Sequence, residues 1–196
     1  MNRLAATTEA DRLLLLRLAR SAIHAHVSGA PLATLELAGI FGRRGGAFVS
    51  LHAGRTLRGC IGHLDAADPL GRVIPRCAVA ACSEDPRFPS VTESELATIE
   101  IELSLLAPFE PITGPGDFEI GRHGLAVEDG WYRGLLLPQV ATEWSWDADT
   151  FLAHTCRKAG LPVDGWKNGV KLWRFEAEVF GESQQSTVDR FSQPSA

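Results

Sequence analysis

The chain has 196 residues, 45% of them hydrophobic and 22% charged, with a formal net charge of -5. That length supports one well-buried core, or a core with a small subdomain, and the composition is that of an ordinary globular protein. The acidic balance, with no basic run interleaved with aromatics, argues against nucleic acid as a partner. Leu13 to Leu16, bracketed by Arg12, Arg17 and Arg20, falls far short of the ~20 apolar residues that span a bilayer, so no membrane partner is expected.

Thr7 or Thr8 caps a first predicted helix, with Glu9 and Asp11 in its first turn, where the helix dipole favours acid. The stripe Leu15, Leu18, Ala19, Ala22, Ile23 and His26 carries it to about Val27, and Ser28-Gly29-Ala30-Pro31 ends it. A strand is predicted over Ala47 to His52, a turn at Ala53-Gly54-Arg55, and a hairpin partner over Thr56 to Gly62. Asp68 caps a second helix with Pro69 at its first position; it runs to about Ser83, and Pro75 should perturb its early turns. Asp85-Pro86-Arg87-Phe88-Pro89 stops that helix and fixes a loop, with Arg87 placed to pair with an acid.

Thr98 to Leu106 is the cleanest strand, with Ile99, Ile101, Leu103 and Leu105 facing a core and Glu100, Glu102 and Ser104 facing out or into a cleft. Pro111 to Asp117 reads as loop. Leu125 to Val127 and Trp131 to Leu137 form a second hairpin around Glu128-Asp129-Gly130, closed by Pro138. Ser145 or Asp147 caps a helix that ends at Gly160, and Val170 to Phe180 is a final long strand. Hairpins separated by helices predict an α+β fold with a mainly antiparallel sheet, one domain over 8–182 and a polar tail over 183–196.

Charge is unevenly spread. Residues 1–98 carry 11 Lys+Arg and 9 Asp+Glu, whereas 99–196 carry 8 and 15. Lys158, Lys167 and Lys171 are the only lysines, so the first half is basic through arginine alone. The cysteines Cys60, Cys77, Cys82 and Cys156 include no C-x-x-C pair. Cys77 and Cys82 would stand about 140° apart on a helix, too far round to share an ion. Reduced thiols in a cytoplasmic protein, with no metal site, are the expectation.

Leu57-Arg58-Gly59-Cys60-Ile61-Gly62-His63 is the segment most suggestive of chemistry. Alternation sends Arg58, Cys60 and Gly62 to one face of the strand. A cation beside a thiol favours the thiolate, and Gly59 and Gly62 let a backbone or ligand come close. The same residues also fit a tightly packed strand with an inert cysteine. A basic partner for Cys60 would be His63, provided the strand bends at Gly62, or His123 or His52 from another strand, since spacing alone cannot identify a Cys-His pair.

The chain resembles the AMMECR-one domain family, also called AmmeMemoRadiSam system protein A. The resemblance rests on Leu57-Arg58-Gly59-Cys60-Ile61-Gly62, Asp85-Pro86-Arg87-Phe88-Pro89 and Gly121-Arg122-His123-Gly124-Leu125. It continues in Gly134-Leu135-Leu136-Leu137-Pro138-Gln139-Val140, in Glu143-Trp144-Ser145-Trp146-Asp147 and in Cys156-Arg157-Lys158-Ala159-Gly160-Leu161-Pro162. It implies an α+β fold with an antiparallel sheet, flanking helices, a smaller subdomain and a groove between. It also implies Memo-like and radical-SAM proteins as partners. Neither the residues nor the resemblance identifies a cofactor.

Two readings follow. In the first, the chain is an enzyme or enzyme component acting on a small or peptide-like substrate. Cys60 is then its nucleophile or a redox-active thiol, Arg58 the activator or anion clamp and His123 an accessory group, with Gly59, Gly62, Arg87, Gln139, Glu143 and Trp144 as binding residues. In the second, it is a non-catalytic adapter or regulator that docks its partner proteins through a surface lined by leucine and tryptophan.

Overall fold

The computed structural model describes residues 7–64 and 67–182. The predicted polar tail, 183–196, lies outside them. Among the described residues there are seven strands and four α-helices, and the chain is α+β with an antiparallel sheet flanked by helices, as predicted. The described residues divide into two compact units, one within 7–105 together with 178–182, the other 106–177.

The first unit opens with α1, Glu9–Ser28. Thr8 caps it through a reciprocal pair of bonds with Asp11, and Gly29 ends it in the left-handed conformation, φ 67°. Strands β1, Gly46–Ala53, and β2, Thr56–His63, form the first hairpin, and β3, Ile99–Leu106, lies on the other side of β1. Helix α2, Leu70–Ser83, packs on that hairpin. Its cap position is Pro69 rather than Asp68, and it runs unbroken through Pro75. Leu15, Ala19 and Ile23 of α1, Val73, Ile74 and Cys77 of α2, and Val49, Leu51, Ile101 and Leu103 of the strands are all buried, with α2 packed against both α1 and β1. Each buried Leu, Ile or Val contributes about 1.5–3 kcal/mol.

The second unit is built on β7, Lys171–Gly181, whose last residues belong to the first unit. It pairs antiparallel with β5, His123–Asp129, which in turn pairs with β6, Tyr132–Leu136. A short strand, β4, Glu110–Ile112, also pairs with β7, where a loop was predicted. Pro138 does not close the second hairpin. It opens a short helix, α3, Pro138–Glu143, where its missing N–H costs nothing. Helix α4, Ala148–Lys158, is capped by Asp147, whose side chain accepts from the Thr150 N–H at 2.8 Å. It buries Phe151, Leu152 and Cys156 against Leu125, Val127 and Leu172 of the sheet.

Candidate functional site

The β1–β2 hairpin has two unlike faces. One carries Val49 and Leu51, both buried, and Gly59. A Cβ on Gly59 would meet the Ala81 carbonyl oxygen of α2 at 2.1 Å, so helix backbone sits directly on this strand and only glycine fits. The opposite face carries Phe48, Ser50 and His52 of β1 with Cys60 and Gly62 of β2. Here a Cβ on Gly62 would enter the Phe48 ring at 2.2 Å, so the ring covers that glycine.

Cys60 stands opposite Ser50 in the ladder, and the Ser50 hydroxyl donates to Cys60 Sγ at 3.3 Å. The Cys60 backbone points away from β1. Its N–H donates to Asp85 Oδ2 at 2.8 Å, and its carbonyl accepts from Arg87 Nη2 at 3.4 Å. Cys60 and Ser50 are therefore a non-hydrogen-bonded pair, the kind that brings side chains closest. Asp85 and Arg87 together offer this peptide an acceptor and a donor, as a neighbouring strand would, and so close the edge of β2.

Asp85 is the anchor of this arrangement. It is buried, and its carboxylate accepts four bonds: from the Cys60 N–H, the Arg87 N–H, and Arg87 Nε and Nη2, the last at 2.7 Å. The Arg87 bonds, reinforced by the Cys60 N–H, hold its carboxyl well below the usual carboxylate range against the opposing cost of burial.

Arg58 is used differently from the expectation. The register steps from Leu51↔Gly59 to His52↔Leu57, which leaves Arg58 as the extra residue of a β-bulge. Its guanidinium binds Glu95 through Nε at 2.8 Å and Nη2 at 3.2 Å, and donates to the Pro89 and Ser90 carbonyls. It clasps the loop after α2. The Arg58 bonds, with those from Thr92, lower the Glu95 carboxyl to about 2.

His52 lies two residues from Ser50 on the Cys60 face. Residues diagonal across a strand pair are about 7–8 Å apart, within reach of long side chains. His52 Nε2 is buried with no hydrogen-bond partner among the described residues, and it stands 4.0 Å from Glu102 Oε1 on β3. Ser50 and Glu95 were not singled out from the sequence. Ser50 carries no motif, and Glu95 is separated from Arg58 by 37 positions.

The cysteines differ in surroundings. Cys77, Cys82 and Cys156 are buried, whereas Cys60 is part-exposed. Burial pushes Cys77 up to about 11 and raises Cys82 and Cys156. No cluster of three or more metal-ligating side chains occurs among the described residues.

His123, Gln139, Glu143 and Trp144 belong to the second unit. His123 is buried at the start of β5, and its Nδ1 accepts from the Glu119 N–H at 3.0 Å, so the ring fastens the preceding turn. Burial lowers its pKa, and the Arg174 and Arg122 charges add to this. Gln139 and Glu143 lie on α3, half-buried and exposed respectively. Trp144 is exposed and stacks on Trp146, at a ring separation of 6.2 Å. Trp146 stacks in turn on His154 at 3.8 Å. Ser145 between the tryptophans adopts φ 54°, a left-handed turn that costs about 1–2 kcal/mol.

The AMMECR1 family model matches residues 16–180. A Methanothermobacter thermautotrophicus protein is 45% identical over 177 residues, covering 86% of this chain and 92% of the relative. A Methanocaldococcus jannaschii protein is 42% identical, covering 85% and 87%. The crystal structure of an uncharacterised Pyrococcus horikoshii protein superposes with a TM-score of 0.82 at 38% identity, covering 89% of this chain and 93% of that one. The chain belongs to the AMMECR1 family.

Proposed function

We propose that this chain is a cysteine-dependent enzyme, or the catalytic component of one, acting on a small or peptide-like substrate at the face of β1 and β2 that carries Cys60. The observation that supports this is the exposure pattern: of the four cysteines Cys60 alone is not buried, and its face also presents Ser50, His52 and Glu102. In this reading Cys60 Sγ attacks an electrophilic carbon of the substrate, the leaving group departs, and the thiol proton passes to the His52 imidazole. Glu102 stabilises the imidazolium, its 4.0 Å approach to Nε2 tightening once substrate is bound. Ser50 holds the sulfur in place.

Thioester and activated-ester probes, read by intact mass, test the proposal. A covalent adduct should form on Cys60, vanish in Cys60→Ser, and form about 100-fold more slowly in His52→Gln. An adduct that forms at the wild-type rate in His52→Gln would remove the proposed base.

A second reading, a non-catalytic adapter for Memo-like or radical-SAM proteins, is favoured by the aromatic surface of the second unit. Trp131 is 99% exposed at the tip of the β5–β6 hairpin, beside exposed Tyr132. Tryptophan at such positions is a common anchor in protein interfaces. Under this reading Trp131→Ala abolishes capture of those partners and Cys60→Ser retains it. The reverse pattern rejects the adapter.

A further inference from the structure

The two arginines nearest Cys60 differ in how many donors they have left. A guanidinium carries five N–H donors. Arg58 directs all three of its nitrogens at Glu95, Pro89 and Ser90, and its side chain is 13% exposed. Arg87 turns Nε and Nη2 toward Asp85 and the Cys60 carbonyl, while Nη1 donates to no described residue. Its side chain is 53% exposed, whereas that of Asp85 is 3% exposed. The pair therefore shows solvent a cation and keeps its anion covered. The cation is also fixed in place. Two parallel bonds to a buried carboxylate set the plane of the guanidinium, and the Phe88 ring supports it at 5.3 Å.

We infer that the substrate of this site carries an anionic oxygen group, a carboxylate or a phosphate, and that Arg87 rather than Arg58 binds it beside Cys60. The inference rests on the cysteine-enzyme reading above and supplies its substrate class. A guanidinium already held through Nε and Nη2 loses little freedom when its two remaining Nη1 donors take an oxyanion, and an ionised acceptor strengthens those bonds. The bond to Asp85 raises the Arg87 pKa, so the guanidinium keeps its charge at this position.

Two alkylating reagents of nearly equal size test this on the full chain. Iodoacetate is an anion and iodoacetamide is neutral. With either, the Cys60 thiolate forms a C–S bond as iodide leaves. The quantity to read is the ratio of the two rates at Cys60, divided by the same ratio for N-acetylcysteine. We expect about a two- to fivefold preference for iodoacetate in the wild type. It should shrink toward the reference ratio in Arg87→Gln and, in the wild type, with added sodium chloride. Acetate and inorganic phosphate at matched ionic strength then separate carboxylate from phosphoryl recognition by which of them lowers the ratio.

Equal normalised rates in the wild type, or a preference that survives both Arg87→Gln and salt, overturn the inference while the cysteine-enzyme reading stands. Should Arg87→Gln fail to fold, the salt series on the wild type decides. A Cys60 silent to both reagents until the protein unfolds overturns that reading, and this inference with it.

Discussion

At the residue scale, Arg58 is a fastener. Its guanidinium joins β2 to Glu95 and to the Pro89 and Ser90 carbonyls. Arg58→Ala strands a carboxylate and two carbonyls, and should cost about 2–3 kcal/mol in urea unfolding. Arg58→Lys should recover less than half of that, because a single ammonium cannot reproduce the fork. A loss below about 0.5 kcal/mol would show the clasp to be incidental. His123 gives a second test. Its folded pKa is lowered by burial, so folding favours the neutral ring. Its contribution is complete above the unfolded value of about 6.5 and declines as pH falls below it toward the folded value. Stability measured across that range should slope more steeply in the wild type than in His123→Gln, and equal slopes would contradict the assignment.

At the scale of elements, the β1–β2 hairpin and its contact with α2 position the site. The contact depends on Gly59, where a methyl group would strike the Ala81 carbonyl at 2.1 Å. Gly59→Ala should lower stability by about 3 kcal/mol or more, whereas Gly54→Ala in the hairpin turn, with open space around it but φ 60°, should lose only about 1–2 kcal/mol. The hairpin, α1, α2, β3, α4 and β7 were all legible from caps, glycine stops and apolar periodicity. Strand β4 and helix α3 were not. Each is too short for a period to register, and each is held by its neighbour, β4 by β7 and α3 by β5. The bulge at Arg58 was likewise hidden, because nothing in a sequence shows which residue of a strand will lack a partner. Strict alternation therefore paired Arg58 with Cys60, whereas the structure gives Arg58 to Glu95.

At the scale of the whole molecule, the acidic side of the pH range tests the anchoring carboxylates together. Glu95 is lowered to about 2 by Arg58 and Thr92, so its contribution is present above the unfolded value of about 4.5 and is lost as pH falls toward 2. Glu95→Gln should flatten the stability curve in that window and leave it unchanged near neutrality in slope; an unaltered curve would contradict the pairing. The candidate site was legible in part. The sequence singled out Cys60, Arg58 and Arg87, and placed Arg87 against an acid, which proves to be Asp85 two residues before it. Ser50 and Glu95 could be found only once the chain was folded, because their partners are distant in sequence.

The central claim is that Cys60 is a reachable, chemically available thiol and the other three are packing residues. The most direct measurement is site-resolved alkylation of the native protein by iodoacetamide, with Cys77, Cys82 and Cys156 as internal references. The account predicts that Cys60 is modified under native conditions while the other three wait for unfolding, as their buried positions require. Labelling of Cys60 no faster than Cys77, and only as the protein unfolds, would contradict it.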